Sequence, residues 1–356
     1  MITRRTFIIG LAAVPISRCF SADSEDSFHA ERVSDFCRRL KPVGRILEMK
    51  DWYVWGTSPI DGPDGKVHVF FSRWPAKRRM GGWISSSEVA HAIADRPEGP
   101  YEYIEMVLAP RGEGFWDGTT CHNPHIQKVD GKYCLFYMGN SNRKTNTKRI
   151  GLAVADSLFG PWKRSDKPLI EPGGTDVWDN HCTSNPAFVR HPNGQYWLYY
   201  KSWNSGEYYN SSNSTIRGNR KYGLAIANRL EGPYNKYKNN PLIDYSGLGD
   251  NRQIEDAYVF IEDGKFKMIA RDMGIFNHEV GLYLESDDGI KWSKPKIAYY
   301  PVRKYVKEPP APSYLRKYGR LERPQILMRK GRPAYLFTAS QGGKYMNSSA
   351  FIFKIT

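Results

Sequence analysis

Apolar runs recur along the chain in a common rhythm, each cut by a tight turn and then resumed. The turns open "DGKVHVFFS" at Asp64, "DGKYCLFYM" at Asp130, "NGQYWLYYK" at Asn193, "DGKFKMIAR" at Asp263 and "KGRPAYLFT" at Lys330. Their spacing is about 66 residues, the period of a repeat architecture. Asp-Gly or Asn-Gly between two β-rich runs predicts a hairpin, with both turn residues at positive φ. A strand-opening element precedes each turn: "TSPI", "HNPHI", "SNPAF", "EDAYV" and "ERPQI". Proline is tolerated at such a position because its missing N–H removes no ladder bond. A third run follows in "SEVAHAIA", "RIGLAVA", "KYGLAIA" and "EVGLYLES", and turns such as "EGPYEY", "FGPWKR" and "EGPYNK" lead into a fourth.

Four strands repeated five times, without helical periodicity, predict an all-β fold: a five-bladed β-propeller of four-stranded antiparallel blades. The fifth repeat stops at "SSAFIFKIT", one strand short. A propeller closes its ring to remove free edges, so "VGRILEM", Val43 to Met49, is expected to supply the missing strand from the N-terminal side. This places the propeller domain over 43–356 and leaves 23–42 as a polar, partly helical lead-in.

Composition agrees with a packed β protein: 40% of residues are hydrophobic and 14% aromatic, with 23 Tyr and 10 Trp. Such a set can fill a core and also line a cleft by stacking on rings. The opening "MITRRTFIIGLAAVPISRCFSA" sets Arg4 and Arg5 before an apolar run from Phe7 to Ile16. That order reads as a twin-arginine export signal over residues 1–22. The run is far shorter than the ~20 residues that cross a bilayer, so no stable membrane insertion is expected. An exported, periplasmic or extracellular location follows.

The formal net charge is +15, and removal of the signal takes away Arg4, Arg5 and Arg18 but no acid. A basic surface attracts polyanions. Export argues against nucleic acid; an acidic polysaccharide or anionic lipid fits the charge, as does a solvated basic surface without a charged ligand, and the oligomeric state is open. Cys37, Cys121, Cys134 and Cys182 show no C-x-x-C spacing, so no metal site is expected and buried free thiols are the anticipated state.

In a propeller the first strand of each blade lies nearest the axis and opens toward a central funnel. The candidate funnel residues are Thr57 and Ser58, His122 and Asn123, Ser184 and Asn185, Glu255 and Asp256, and Glu322 and Arg323. Two loops resemble each other, "FWDGTTCHNP" and "VWDNHCTSNP". They place Trp116 with Asp117, and Trp178 with Asp179 beside His181. An indole face stacks on a sugar ring while a neighbouring carboxylate binds hydroxyls or moves protons; alternatively, each Asp caps its own loop and each Trp packs between blades. Lys201 and Arg271 end second strands, with His278 shortly after. They suit an anionic substrate or pair with the nearby acids.

The openers "HNPHI" and "SNPAF", the "DGKY" hairpins, "GLAVADSLFGPW", "IEDAYVF" and "LERPQIL" together resemble the five-bladed glycosidases of glycoside hydrolase family 43 and the related family 117. The resemblance spans about residues 43–356. It implies an exo-acting, usually inverting glycosidase with a base, an acid and an orienting Asp in the funnel. On that basis the catalytic candidates are Glu255, Asp256, Glu322, Asp179 and Asp117. The substrate-binding candidates are Trp116, His122, Asn123, Trp178, His181, Asn185, Lys201, Arg271, His278 and Arg323. No cofactor is required, although some relatives carry an axial calcium. The chain departs from the pattern where Ser58 takes the place expected for the first-blade base, and Asn123 and Asn185 that of the orienting Asp. Family 117 offers a precedent for a His as acid. A single "SDDGIKW" is similar to the Asp-box of the six-bladed sialidases but is one residue short.

Overall fold

The computed structural model describes residues 32–212, 217–249 and 252–356. The export-signal segment lies outside them. Twenty strands form five four-stranded sheets, each antiparallel throughout. Blade 1 holds β2 (Trp52–Asp61), β3 (Val67–Pro75), β4 (Glu88–Ala94) and β5 (Glu102–Leu108). Blade 2 holds β6 (Thr120–Val129), β7 (Lys132–Asn140), β8 (Arg149–Ala155) and β9 (Lys163–Arg164). Blade 3 holds β10 (Ser184–Arg190), β11 (Tyr196–Ser202), β12 (Lys221–Ala227) and β13 (Asn235–Lys236). Blade 4 holds β14 (Gln253–Glu262), β15 (Lys265–Met273), β16 (Gly281–Ser286) and β17 (Lys296–Tyr299). Blade 5 joins β18 (Glu322–Arg329), β19 (Arg332–Gly342) and β20 (Asn347–Ile355) to the N-terminal β1 (Leu40–Ile46).

The ring therefore closes as expected, with the closing strand three residues further upstream. Leu40 pairs with Ile355 and Ile46 with Ala350. Ahead of it, Ser34 caps a short helix, α1 (Asp35–Arg38), by accepting the Cys37 N–H. Five blades leave no place for the six-bladed sialidase likeness. The serine and Asp288 of "SDDGIKW" serve the local turn instead: Ser286 Oγ accepts the Gly289 N–H, and Asp288 those of Ile290 and Lys291.

Three of the five turns take the two-residue form with both residues at positive φ: Asp130–Gly131, Asp263–Gly264 and Lys330–Gly331. At Asp64 and Asn193 the connection is longer, and only the glycine has positive φ. Packing follows the ring. Phe70 and Leu135 join blades 1 and 2, Phe136 and Phe188 blades 2 and 3, and Leu224 and Met268 blades 3 and 4. Tyr258 and Phe351 join blades 4 and 5, and Ile352 and Val69 close the circle. Each blade face thus buries its apolar stripe against a neighbour, which is how a sheet with two apolar faces stays soluble. The four described cysteines are buried free thiols. Among the described residues no helix is long and apolar enough to cross a membrane.

Candidate active site

Every first strand carries the same irregularity near its start. Pairing with the second strand slips between Trp55 and Ser58, His122 and His125, Ser184 and Ala187, Glu255 and Tyr258, and Glu322 and Gln325. At each bulge one residue turns left-handed: Gly56, Asn123, Asn185, Asp256 and Arg323, with φ of 59, 52, 51, 56 and 51°. Gly, Asn and Asp adopt this conformation at least cost. Arg323 does so while its backbone N–H donates to Asp256 Oδ2 (3.2 Å) and its side chain is fully buried.

The bulges stack three rings of residues about the axis. The middle ring is the floor. Asn123 Nδ2 donates to Asn185 Oδ1 (3.3 Å), and Asn185 Nδ2 to Asp256 Oδ1 (2.5 Å). Arg323 crosses the axis from blade 5 and donates through Nη2 to the carbonyls of Asn123 (3.2 Å) and Pro186 (3.4 Å). Blade 1 contributes Gly56 because a Cβ there would stand 3.1 Å from Arg323 Cγ and 3.2 Å from Asn123 Oδ1. Below the floor lie Ser58, His125 and Gln325, where Ser58 Oγ donates to Gln325 Oε1 (3.1 Å).

This register corrects the sequence alignment of blade 1. Trp55 and Gly56, not Thr57 and Ser58, occupy the places of His122 and Asn123. Ser58 faces the lower axis and replaces no funnel acid. The floor at the axis holds the Arg323 guanidinium above the uncharged Ser58, His125 and Gln325, and no cluster of three His, Cys, Asp or Glu occurs among the described residues.

Above the floor opens a cavity of about 380 Å³. Glu255, Asp256 and Glu322 reach it from blades 4 and 5, and His122, Asn123, Asn185, Lys201 and Arg271 line it as expected. Lys201 and Arg220 both bind Glu255 Oε1, the latter at 3.2 Å, and Arg271 Nη1 lies 2.9 Å from Glu255 Oε2. The same Arg271 nitrogen lies 3.1 Å from Glu322 Oε2, while Arg320 Nε donates to Glu322 Oε1 at 2.7 Å.

Burial alone would raise both glutamates, but the cations outweigh it. Lys201, Arg220 and Arg271 hold Glu255 well below the usual carboxylate range. Arg271, Arg320 and Lys317 bring Glu322 down to about 2. Asp256 moves the opposite way: burial and the neighbouring Glu255 charge raise it, with Arg323 and Lys201 only partly opposing. His122 is held neutral by burial and by Arg323, Lys148 and Lys201, and its Nδ1 is 2.8 Å from Ser87 Oγ.

Four sequence candidates belong to the blades rather than the cavity. Asp117 is fully buried between Arg111 (2.7 Å), Arg164 (3.3 Å) and the Tyr137 hydroxyl (2.7 Å). Asp179 repeats this with Lys236 (2.6 Å) and the Tyr200 hydroxyl (2.8 Å). Trp116 stacks on Tyr137 and Trp178 on Tyr200, their indoles lying over Gly151 and Gly223. The tryptophans pack on their blades, as the alternative held, but the aspartates are held by cations and tyrosine hydroxyls instead of capping their own loops. His181 is buried behind the wall, stacked on Trp203 and 2.9 Å from Thr145 Oγ1. His278 also lies off the cavity lining, in a loop whose N–H groups from Gly274 to His278 all donate to Asp272. Arg323 belongs to the floor and does not line the cavity.

The residues that sequence reasoning missed come from other loops at the same end. The loop between second and third strands supplies Met80 and Trp83 in blade 1, Thr145 and Lys148 in blade 2, and Trp203, Tyr208, Arg217 and Arg220 in blade 3. Lys317 precedes β18. None sits in the repeated pattern, so periodicity carried no signal for them. The one available hint was their content of Trp, Lys and Arg.

No protein-family model and no curated protein sequence matches the chain. Solved structures do. The chain is similar to Zg3597, a family 117 glycoside hydrolase produced by the marine bacterium Zobellia galactanivorans. The identity is 18%, coverage is 88% of this chain and 90% of that one, and the TM-score is 0.64. A family 43 enzyme from Xanthomonas citri matches at 16% identity over 92% of each of the two proteins, with a TM-score of 0.57. A family 43 β-xylosidase/α-arabinofuranosidase from a compost microbial metagenome, in complex with xylotriose, matches at 18% identity. There the coverage is 89% of this chain and 94% of that one, and the TM-score is 0.59. These likenesses establish the five-bladed fold.

Proposed function

We propose that the protein is a glycoside hydrolase that removes sugar units from the end of an oligosaccharide or polysaccharide fragment. The observation that carries this reading is the meeting of Glu255, Asp256 and Glu322 at the blind end of one cavity, with Asp256 shifted toward its protonated form and the two glutamates toward their ionised forms. Glycosidic hydrolysis needs one carboxylic acid that holds its proton and one carboxylate that accepts a proton from water. Asp256, raised by burial and Glu255, is the proton donor to the glycosidic oxygen. Glu255, the more exposed of the two glutamates, is the ionised base. Glu322 orients Arg271, which in turn grips Glu255.

Geometry narrows the pairing. Glu255 and Glu322 bind the same Arg271 nitrogen at 2.9 and 3.1 Å, closer together than the ~6.5–9.5 Å gap that admits a water in an inverting enzyme. Asp256 is therefore one member of the working pair. The floor of Asn123, Asn185 and Arg323 stops a chain from threading through, which favours attack at a chain end. Trp83, the most exposed of the indoles lining the cavity, supplies a face for ring stacking, with the buried Trp55 and Trp203 behind the wall. The solved structures of the same fold that bear glycoside hydrolase names support this class of chemistry. The twin-arginine pattern at Arg4 and Arg5 supports action outside the cytoplasm.

Proton NMR of the first-formed anomer, from neutral, uronic and sulfated oligosaccharides, tests the reading. Inverted configuration is expected; retained configuration would reject the inverting assignment, and no product from any substrate would reject hydrolysis. A sugar-binding propeller without turnover is the second reading. It is favoured by one observation, that among the described residues blades 1 to 3 place no acid in the cavity.

A further inference from the structure

Resting on the carbohydrate reading, we infer that Lys148, set between Trp83 and Trp203, is the residue that recognises an anionic substituent, a carboxylate or sulfate, on the bound sugar. Lys148 ends the loop before β8 and is 2% exposed, yet it lines the cavity. Its Nζ lies 4.3 Å from the Trp203 ring centroid and 6.0 Å from that of Trp83. Of the other cations lining the cavity, Lys201 and Arg220 are committed to Glu255 and Arg271 to Glu255 and Glu322, whereas Arg217 and Lys317, like Lys148, have no ion pair among the described residues but do not lie between two indoles. Lys148 has no ion pair or ammonium hydrogen bond among the described residues. Cation–π contact offsets part of the cost of burying an ammonium but leaves its hydrogen-bond donors unused.

The backbone fixes this position. Lys148 N–H donates to Thr145 O (3.2 Å) and its carbonyl accepts from Thr183 N (3.1 Å), so the side chain leaves from a tied segment. The buried Trp203 backs the ammonium, while the half-buried Trp83 offers an apolar face to a sugar ring whose anionic group meets Lys148. The cavity as a whole reinforces the choice of sign. Lys148, Lys201, Arg217, Arg220, Arg271 and Lys317 face three carboxyls, one of which is biased toward its neutral form. A neutral sugar would leave Lys148 buried beside unpaired donors; an anionic one satisfies them.

Isothermal titration calorimetry with galactose, galacturonate and galactose 6-sulfate, on the full chain, on Lys148→Met and on the exposed-surface control Lys238→Met, tests this without requiring turnover. At least one anionic sugar is expected to bind roughly tenfold to a hundredfold tighter than galactose, the scale of a hydrogen bond to a charged group. That preference is expected to vanish in Lys148→Met and persist in Lys238→Met. Which anionic sugar is preferred separates carboxylate from sulfate. Equal affinity for the three sugars, or a preference that survives Lys148→Met, would overturn the inference and leave the carbohydrate reading standing. Failure of all three sugars to bind the wild-type chain would overturn both. A circular-dichroism melt of Lys148→Met shows whether lost binding reflects lost folding.

Discussion

Two groups of acids in this protein have the same local chemistry and opposite surroundings. Asp117 and Asp179 are buried, each clamped by cations and a tyrosine hydroxyl. Glu322 is also buried and Glu255 half-buried, and both are also clamped by cations. What separates them is the space beyond the clamp. The aspartates close a blade's leading loop onto its second strand, with an indole packed alongside. The glutamates stand at left-handed bulges of neighbouring blades, face an open cavity, and share it with Asp256, which burial and the Glu255 charge bias toward its protonated form. A clamped acid is structural when every direction around it is filled and chemical when one direction is open.

Substitutions should pull the two groups apart. The largest effect is expected from Glu255→Gln, which removes the proposed base and should lower turnover about 1,000-fold in single-substrate kinetics while sugar binding remains. Asp117→Asn should do the reverse. It strands Arg111 and Arg164 beside a neutral amide and should destabilise the fold by about 3 kcal/mol. The expected result is a melting temperature several degrees lower, with turnover per folded molecule unchanged. Were both variants to behave alike, the division between the two groups would fail.

Titration sharpens the comparison further. Against the effect of burial, the proposed base Glu255 is held well below the usual carboxylate range by Lys201, Arg220 and Arg271, so the acid limb of kcat/KM should lie below that range. Arg271→Met should move the limb up toward the ordinary carboxylate range, measurable in a pH–rate profile. The smallest effect concerns Lys148. Burial, aided by Lys201 and Arg220 and opposed by Cys182 and Glu255, brings its ammonium down to about 7. It is charged below that pH and neutral above it, so affinity for an anionic sugar should fall severalfold between pH 6 and pH 8. His122 and His181 face the same region, but both are already neutral across that range, with His181 brought down to about 4. Neither should contribute to the change.

The ring itself was legible because its signals are local and repeated. Gly-containing hairpins, Pro-marked strand starts and the missing strand at the C-terminus each follow from backbone rules that act over a few residues. The acids Glu255, Asp256 and Glu322 were legible for the same reason, since they belong to the repeat. Trp116 and Trp178 misled because a tryptophan beside an aspartate looks the same on paper whether it stacks on a sugar or on Tyr137 and Tyr200. The register of blade 1 was misplaced because Pro59 mimics the strand-opening prolines of blades 2 and 3, while the true counterpart of Asn123 is Gly56. Lys148, Trp83, Trp203 and Arg220 were invisible because loops between second and third strands differ in length and share no pattern. Only the closed ring brings them to one place.

The most direct test of the central claim is sugar release from neutral, uronic and sulfated oligosaccharides by the wild-type chain beside Asp256→Asn. The wild-type chain is expected to cleave at least one of them, with kcat/KM declining on the alkaline side as Asp256 ionises. At least a hundredfold loss is expected in Asp256→Asn. Cleavage that survives Asp256→Asn, with an unchanged pH profile, would contradict the assignment of Asp256 as proton donor.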